Sequence, residues 1–223
     1  MDTAQSQMYV LPNVHFTPVN LNGVAGEIGV PNDIKGEGIV FYIHGGGMIC
    51  GTAETSRGFA SMIANESGLK TYTITYRLAP EHPYPAAVED TYQAFLAIQK
   101  NHPGQPIALV GESGGAYLTL TTTLKAKMMK TPLPTVIVPY SAPIDFDMIL
   151  DRSLHKAVDA TVTAEGLVIL RSLYSPNSNG TDPLNSPILG NYTDFPPMYV
   201  TWNNQETLAQ DSEKLVEIAL QAG

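Results

Sequence analysis

The chain has little of several residue types that would point to a secreted or membrane protein. Among 223 residues there is one cysteine, Cys50, and only 15% of the residues are charged. A single cysteine cannot form an intrachain disulfide, so nothing demands an oxidising compartment. No apolar run reaches the ~20 residues of a membrane span, and residues 1–7 are polar, unlike a signal peptide. These absences predict a soluble, cytoplasmic protein.

Positive charge is also scarce. Twelve Lys and Arg stand against 21 Asp and Glu, which gives a formal net charge of -9. A negative surface is repelled by nucleic acids and acidic membranes, so neither is an expected partner. No cluster of histidine, cysteine and carboxylate has metal-ligand spacing, so the sequence predicts no metal and no cofactor. A neutral small molecule remains a suitable substrate.

The pattern of apolar runs predicts an α/β fold. The length and the 43% hydrophobic content suit one domain over residues 1–223. Short apolar runs predict strands at Ile39–Ile43, Thr71–Tyr76, Ile107–Val110, Thr135–Tyr140 and Met198–Trp202. Helical spacing predicts helices at Ala86–Lys100, Ala116–Met129, Ala164–Tyr174 and Asp211–Ala222. This alternation favours a mostly parallel sheet with helices on both faces. Residues 145–187 fit the sheet poorly and predict either a lid or cap excursion or an ordinary crossover with a long loop.

Two glycine-rich motifs suggest acyl-transfer chemistry. Gly111-Glu112-Ser113-Gly114-Gly115 lies between a predicted strand and a predicted helix, as a G-x-S-x-G nucleophile turn requires. His44-Gly45-Gly46-Gly47 follows another strand, and free N–H groups in such a loop can bind an oxyanion. One motif supplies a nucleophile and the other supplies donors, although each alone could be an ordinary turn. His44, which immediately precedes the loop at a strand end, is expected to orient it and not to act as a base.

The order of these motifs resembles the hormone-sensitive-lipase-like carboxylesterases, which have the α/β-hydrolase fold. The resemblance runs from about residue 36 to the last residue. It includes the two motifs above and three further stretches: residues 76–86, residues 182–187 and residues 195–198. It implies Ser113 as the nucleophile and backbone N–H groups of Gly46, Gly47 and Gly114 as oxyanion donors. Glu112 and Gly114 replace the Asp and Ala that are usual in the family, and neither change removes an N–H.

The resemblance places the acid of the triad after the strand Met198–Trp202. It implies Glu206, at the start of Glu206-Thr207-Leu208-Ala209-Gln210-Asp211, where the family more often has Asp. Asp211 is the rival, with the alternative that it only caps the last helix.

The catalytic histidine is the missing member. The fold orders its triad as Ser, acid, His, yet no histidine follows Glu206. The five histidines present, each with a simpler explanation, are His15, His44, His82, His102 and His155. We therefore expect the catalytic histidine beyond Gly223, together with a missing C-terminal strand and helix. Such a chain would be inactive alone and prone to self-association, so a homo-oligomer stays open.

These observations predict a serine carboxylesterase that acts on small, short-acyl esters. One alternative is a catalytically inactive protein of the same fold that binds a small ligand. A peptidase of this fold is a third hypothesis, which the His-Gly-Gly-Gly loop disfavours.

Overall fold

The computed structural model describes residues 8–151 and 158–223. The strands are β1 (Val14–Leu21), β2 (Val24–Pro31), β3 (Ile39–Ile43), β4 (Lys70–Ile74), β5 (Ile107–Glu112) and β6 (Val136–Tyr140). The α-helices are α1 (Arg57–Ser67), α2 (Ala86–Asn101), α3 (Gly114–Met128), α4 (Ala164–Tyr174) and α5 (Ala209–Ala222). Among the described helices, none is long and apolar enough to cross a membrane.

The six strands form one sheet in the order β1-β2-β4-β3-β5-β6. Strands β4, β3, β5 and β6 are parallel to one another. At one edge, β1 pairs antiparallel with β2, and β2 pairs antiparallel with β4. The predicted α/β-hydrolase fold with a mostly parallel sheet is confirmed. Because parallel strands share one direction, the loops that follow β3 and β5 meet at the same edge of the sheet.

Helices cover both faces of the sheet, as the alternation of side chains along β3 shows. Phe41 and Ile43 belong to the larger hydrophobic core, with residues of α2 and α3. Val40 and Tyr42 point the other way and pack with Ala60 of α1. All five residues of β3 are buried, which explains its unbroken apolar run.

The N-terminal part of the chain is a β-hairpin, which was not among the strands predicted from the sequence. Strands β1 and β2 pair over their whole length, with Leu21 opposite Val24. Asn22 and Gly23 between them have positive φ values of 55° and 93°. A two-residue Asn-Gly turn with both φ values positive matches the twist of a hairpin, so this signal was present in the sequence.

The predicted strand Met198–Trp202 is not a regular strand. It runs parallel to β6 but forms only two isolated bridges, Ile137 with Met198 and Tyr140 with Thr201. The amide of Ile137 donates to the carbonyl of Pro197, just before this segment, and the amide of Ser141 donates to the carbonyl of Thr201, whereas Pro139 lies between the two donors. Proline has no N–H, so the ladder is interrupted at its middle position.

Helix α4 lies within residues 145–187 at its predicted position and is joined to the core at its C-terminal end. Tyr174 is fully buried, and its carbonyl accepts the backbone N–H of Tyr84 at 2.6 Å. Its ring makes an edge contact with Tyr117 of α3 at a centroid distance of 5.8 Å. The end of α4 is therefore fixed beside the first turn of α3.

Candidate active site

Ser113 occupies a sharp turn between β5 and α3. Its φ of 53° and ψ of -120° lie outside the regions that residues with a side chain ordinarily adopt. The turn is held on both sides, since the N–H of Ser113 donates to the carbonyl of Tyr140 at 2.8 Å and its carbonyl accepts from Tyr117 at 3.0 Å. Strained backbone of this kind persists only where the surroundings fix it, and it concentrates at functional sites.

The glycines of the turn are required by close backbone contacts. A methyl group at Gly115 would lie 1.9 Å from the carbonyl oxygen of Ile43, at the end of β3. A methyl group at Gly111 would lie 2.5 Å from the carbonyl carbon of Gly115. Helix α3 therefore begins directly against the strand from which the His44-Gly45-Gly46-Gly47 loop departs.

That loop contacts the turn at Ser113. Gly46 and Gly47 have positive φ values of 102° and 60°, which favour glycine. A methyl group at Gly114 would lie 3.0 Å from the amide nitrogen of Gly47, so the two predicted donor segments are neighbours. Leu170 of α4 covers the loop, since its Cδ1 would lie 3.0 Å from a methyl group at Gly47.

A buried polar cluster supports the loop from below. The ring of His44 is fully buried and stacks on Tyr76 with a centroid distance of 4.3 Å. Nδ1 of His44 lies 2.8 Å from the carbonyl oxygen of Gly45, and the Tyr76 hydroxyl donates to the carbonyl of His44 at 2.9 Å. The amide of Ala79 donates to the carbonyl of Met48 at 2.8 Å. Tyr76 and Ala79, which lie in the stretch 76–86 of the family resemblance, thus hold the loop in place.

Glu112, which directly precedes Ser113, holds the same loop from the other side. Its Oε1 accepts the N–H of Gly45 at 2.7 Å, and a methyl group at Gly45 would lie 3.0 Å from that oxygen. Burial raises the pKa of Glu112 to about 7, although hydrogen bonds from Gly45 and Tyr42 lower it in part. In the sequence, Glu112 stands out only as a replacement for the usual Asp, and no sequence signal indicates its contact with Gly45.

The raised pKa of Glu112 makes stability depend on pH. Between about pH 4.5 and pH 7 the folded chain binds this proton more tightly than the unfolded chain, so the free energy of unfolding falls as pH rises. Glu112→Gln removes this loss, because glutamine does not ionise. At each pH, the free energy of unfolding of Glu112→Gln can be compared with that of wild type. We expect this difference to shift in favour of the variant by about 2 kcal/mol from pH 5 to pH 8.

Denaturant unfolding at the two pH values measures the Glu112 effect. Glu37→Gln, at an exposed position, is the matched control and should change stability little at either pH. A difference between Glu112→Gln and wild type that stays constant from pH 5 to pH 8 would contradict a buried carboxyl that ionises near neutrality.

The two candidate acids lie in different environments. Glu206 is half-buried in the loop before α5, where its N–H donates to the carbonyl of Asn203 at 3.1 Å. Asp211 is fully buried, and its Oδ1 accepts the N–H of Ile144 at 2.9 Å. Helix α5 begins at Ala209 with Leu208 as its N-cap, so the alternative that Asp211 caps the helix is wrong. Asp211 instead joins the first turn of α5 to the chain beyond β6.

The four described histidines lie at four separate places in the fold. His44 is packed beneath the loop, and Nε2 of His102 lies 2.8 Å from the hydroxyl of Tyr72 in β4. His15 is exposed on β1, and His82 is exposed in the proline-rich turn before α2. His155 lies outside the described residues. These contacts place His44 among the supports of the loop and His102 against β4, with His15 and His82 at the surface.

The arrangement brings together the parts of an acyl-transfer site. A serine on a strained turn lies beside a glycine loop that can present N–H groups, the pair that such chemistry needs. In the described ranges no group of three or more His, Cys, Asp or Glu side chains could hold a metal ion.

Comparison with known proteins gives consistent matches. Residues 40–223 match a protein family described as having the alpha/beta hydrolase fold. The chain is 30% identical to an esterase of Acinetobacter venetianus, and the match covers 95% of this chain and 70% of that protein. It is 29% identical to an acetyl-hydrolase of Streptomyces hygroscopicus, covering 82% of this chain and 62% of that protein. A solved esterase of the bacterial hormone-sensitive lipase family superposes on the whole chain with a TM-score of 0.92 at 31% identity, and 75% of that structure is covered.

Proposed function

This chain belongs to the alpha/beta-hydrolase family, among the hormone-sensitive-lipase-like carboxylic ester hydrolases, and we propose that it hydrolyses small, short-acyl esters with Ser113 as its nucleophile. The observation that carries this proposal is the contact between two motifs. The strained turn at Ser113 lies against the loop that contains Gly46 and Gly47, with Gly114 between them. The Streptomyces relative is an acetyl-hydrolase by name, which supports a short acyl group.

In the proposed reaction, Oγ of Ser113 attacks the carbonyl carbon of the ester. Negative charge develops on the carbonyl oxygen, and the N–H groups of Gly46, Gly47 and Gly114 bind it. The alcohol leaves with the proton taken from Ser113, and water then releases the acid from the acyl-enzyme. Four further residues keep the Ser113 turn and the glycine loop in position: His44, Gly45, Gly111 and Gly115. Glu206 would hold the imidazole of the base in the correct tautomer.

We assign the base to a histidine outside the described residues. The described residues supply the proposed nucleophile, donors and acid. Among the described histidines, His44 packs beneath the loop and His102 contacts Tyr72. The other two, His15 and His82, are exposed. His155 and a residue that follows Gly223 in the family's order are the two remaining sources. If the base follows Gly223, the 223-residue chain lacks a contribution of about 10²–10⁴-fold to rate, whereas a base at His155 would be present in it.

Added imidazole tests this proposal on the 223-residue chain. Turnover of p-nitrophenyl acetate should be low without imidazole and should rise by at least about tenfold with it, since the small base can replace a missing side chain. Imidazole also hydrolyses this ester in solution, so Ser113→Ala assayed in the same buffer is the matched control. A rise that is equal in wild type and Ser113→Ala would overturn the assignment of Ser113.

His155→Ala separates the two sources of the base. High turnover without imidazole that is lost in His155→Ala would place the base at His155. High turnover that survives this change would contradict our assignment and direct attention to His82. A p-nitroanilide of the same acyl group, which contains an amide, distinguishes an esterase from a peptidase.

The second candidate function is binding without catalysis. The positions of the four described histidines favour it, because a site with a nucleophile but no base can still hold an ester. Saturable binding of the ester with no turnover at any imidazole concentration would support this alternative.

A further inference from the structure

The loop that carries Glu206 is held on both sides by a short segment that precedes α4. Before Glu206, the carbonyl of Gln205 accepts the N–H of Val158 at 2.9 Å. After Glu206, the N–H of Thr207 donates to Oδ2 of Asp159 at 3.1 Å. The Thr207 hydroxyl also donates to the carbonyl of Val162. We call these contacts between residues 158–162 and residues 205–207 the acid-loop clasp.

Asp159 is the centre of the acid-loop clasp. Its Oδ1 accepts three hydrogen bonds from its own turn: from the N–H of Thr161 at 2.9 Å, from the Thr161 hydroxyl at 2.8 Å and from the N–H of Val162 at 2.9 Å. Its Oδ2 is the oxygen that reaches Thr207. Burial alone would raise its pKa, but the N–H donors of Val162, Thr161 and Thr207 lower the pKa of Asp159 to about 2. The carboxylate is therefore ionised at any pH at which an esterase would be assayed.

The acid-loop clasp leads directly into α4. Thr163 is the N-cap of α4, and its side chain accepts the N–H of Gly166 at 3.0 Å. Leu167 of α4 and Leu208 of the acid loop line the same small cavity. One turn further along, Leu170 contacts Gly47. A single stretch of chain thus contacts both the loop with the proposed acid and the loop with the proposed oxyanion donors.

We propose that Asp159 is a positioning residue for the catalytic acid, which it serves by holding the backbone N–H of Thr207, directly after Glu206. This proposal rests on the proposed function, since it requires Glu206 to act in the triad. A carboxylate that orients an imidazole must itself be held in place, and a displacement of about 1 Å can cost on the order of 10²-fold in rate. The contact is invisible in the sequence, where Asp159 and Thr207 are 48 positions apart.

Asp159→Asn is the informative substitution. Asparagine keeps one acceptor oxygen and supports the same local turn, but its amide nitrogen cannot accept the N–H of Thr207. Thr161→Val is the matched control, because it removes a hydrogen bond to Asp159 without touching the acid loop. Under the imidazole assay, kcat should fall roughly tenfold to hundredfold in Asp159→Asn, with KM within about twofold. Thr161→Val should stay within about twofold of wild type.

The decisive measurement combines Asp159→Asn with Glu206→Gln. If Asp159 acts through Glu206, adding Asp159→Asn to Glu206→Gln should lower kcat by no more than about twofold further, since residues that act as a unit are not additive. If the role of Asp159 is merely structural, kcat of the double variant should fall below that of Glu206→Gln by the same factor that Asp159→Asn causes alone. That result, or equal kcat values for Asp159→Asn and Thr161→Val, would overturn the proposal.

Amide hydrogen exchange gives a readout that needs no turnover. Exchange of residues 205–207 should accelerate at least about tenfold in Asp159→Asn, while β5 keeps its protection. Unchanged exchange in residues 205–207 would also overturn the proposal. If wild type shows no Ser113-dependent turnover, the proposed function is wrong and Asp159 loses its catalytic role. Faster exchange would then show only that Asp159 holds the loop.

Discussion

Ser113→Ala should lower kcat by at least about 10⁴-fold in any active form of this protein, because the remaining donors cannot form an acyl-enzyme. The measurement is the steady-state hydrolysis of p-nitrophenyl acetate by wild type and variant, with the rate in buffer without protein subtracted. A residual rate within about tenfold of wild type would remove Ser113 as nucleophile. The fold should be retained, since the hydroxyl is not what holds the turn: backbone bonds from Ser113 to Tyr140 and from Tyr117 to Ser113 remain.

Ser113→Gly is the matched control for the strain in this turn. It removes the same hydroxyl, so it should be as inactive as Ser113→Ala. Glycine adopts a φ of 53° without a steric penalty, whereas alanine keeps the strain of the serine. We therefore expect Ser113→Gly to unfold with a free energy about 1 kcal/mol higher than Ser113→Ala. Equal stability of the two variants would contradict the strained turn.

Glu206→Gln should cost about 10³–10⁴-fold in kcat, because a neutral amide favours the wrong tautomer of the imidazole it should orient. Asp211→Asn should leave kcat within about tenfold of wild type. It should lower the free energy of unfolding by about 1–3 kcal/mol, since it disturbs a buried hydrogen bond to Ile144. Kinetics and denaturant unfolding of both variants separate the two effects.

The reverse pattern would reassign the acid. A larger kcat loss in Asp211→Asn than in Glu206→Gln, with stability unchanged, would mean that Asp211 is the member of the triad. The burial of Asp211 argues against that outcome, because its Oδ1 is already used by the backbone of Ile144.

The sequence predicted the parts of the fold that depend on local pattern. The unbroken apolar run of β3 and the helical spacing of α2 and α4 lead to the observed elements. The Asn22-Gly23 turn was a local signal that was overlooked, as was Gly68, whose φ of 67° ends α1. Met198–Trp202 was misjudged because its pairing depends on its neighbour, where Pro139 removes an N–H.

The candidate site divides in the same way. The turn at Ser113 and the glycine loop carry their geometry in adjacent residues, so the sequence predicted both. The supports of the loop, Tyr76 and Glu112, contact it only after folding brings distant segments together. Asp159 belongs to this second group, and neither composition nor spacing indicates its partner Thr207.

The close packing of the glycines has a consequence for how this site can change over evolution or in the laboratory. Gly115 faces the backbone of Ile43 and Gly111 faces that of Gly115, so a larger residue at either position would require neighbouring backbone to move. Single substitutions there cannot tune substrate preference gradually. Leu167 and Leu170 lie on α4 at half-buried positions beside the loops, where side chains of different size can be exchanged. A mutant library aimed at new ester substrates should therefore diversify α4 and leave the glycine segments unchanged.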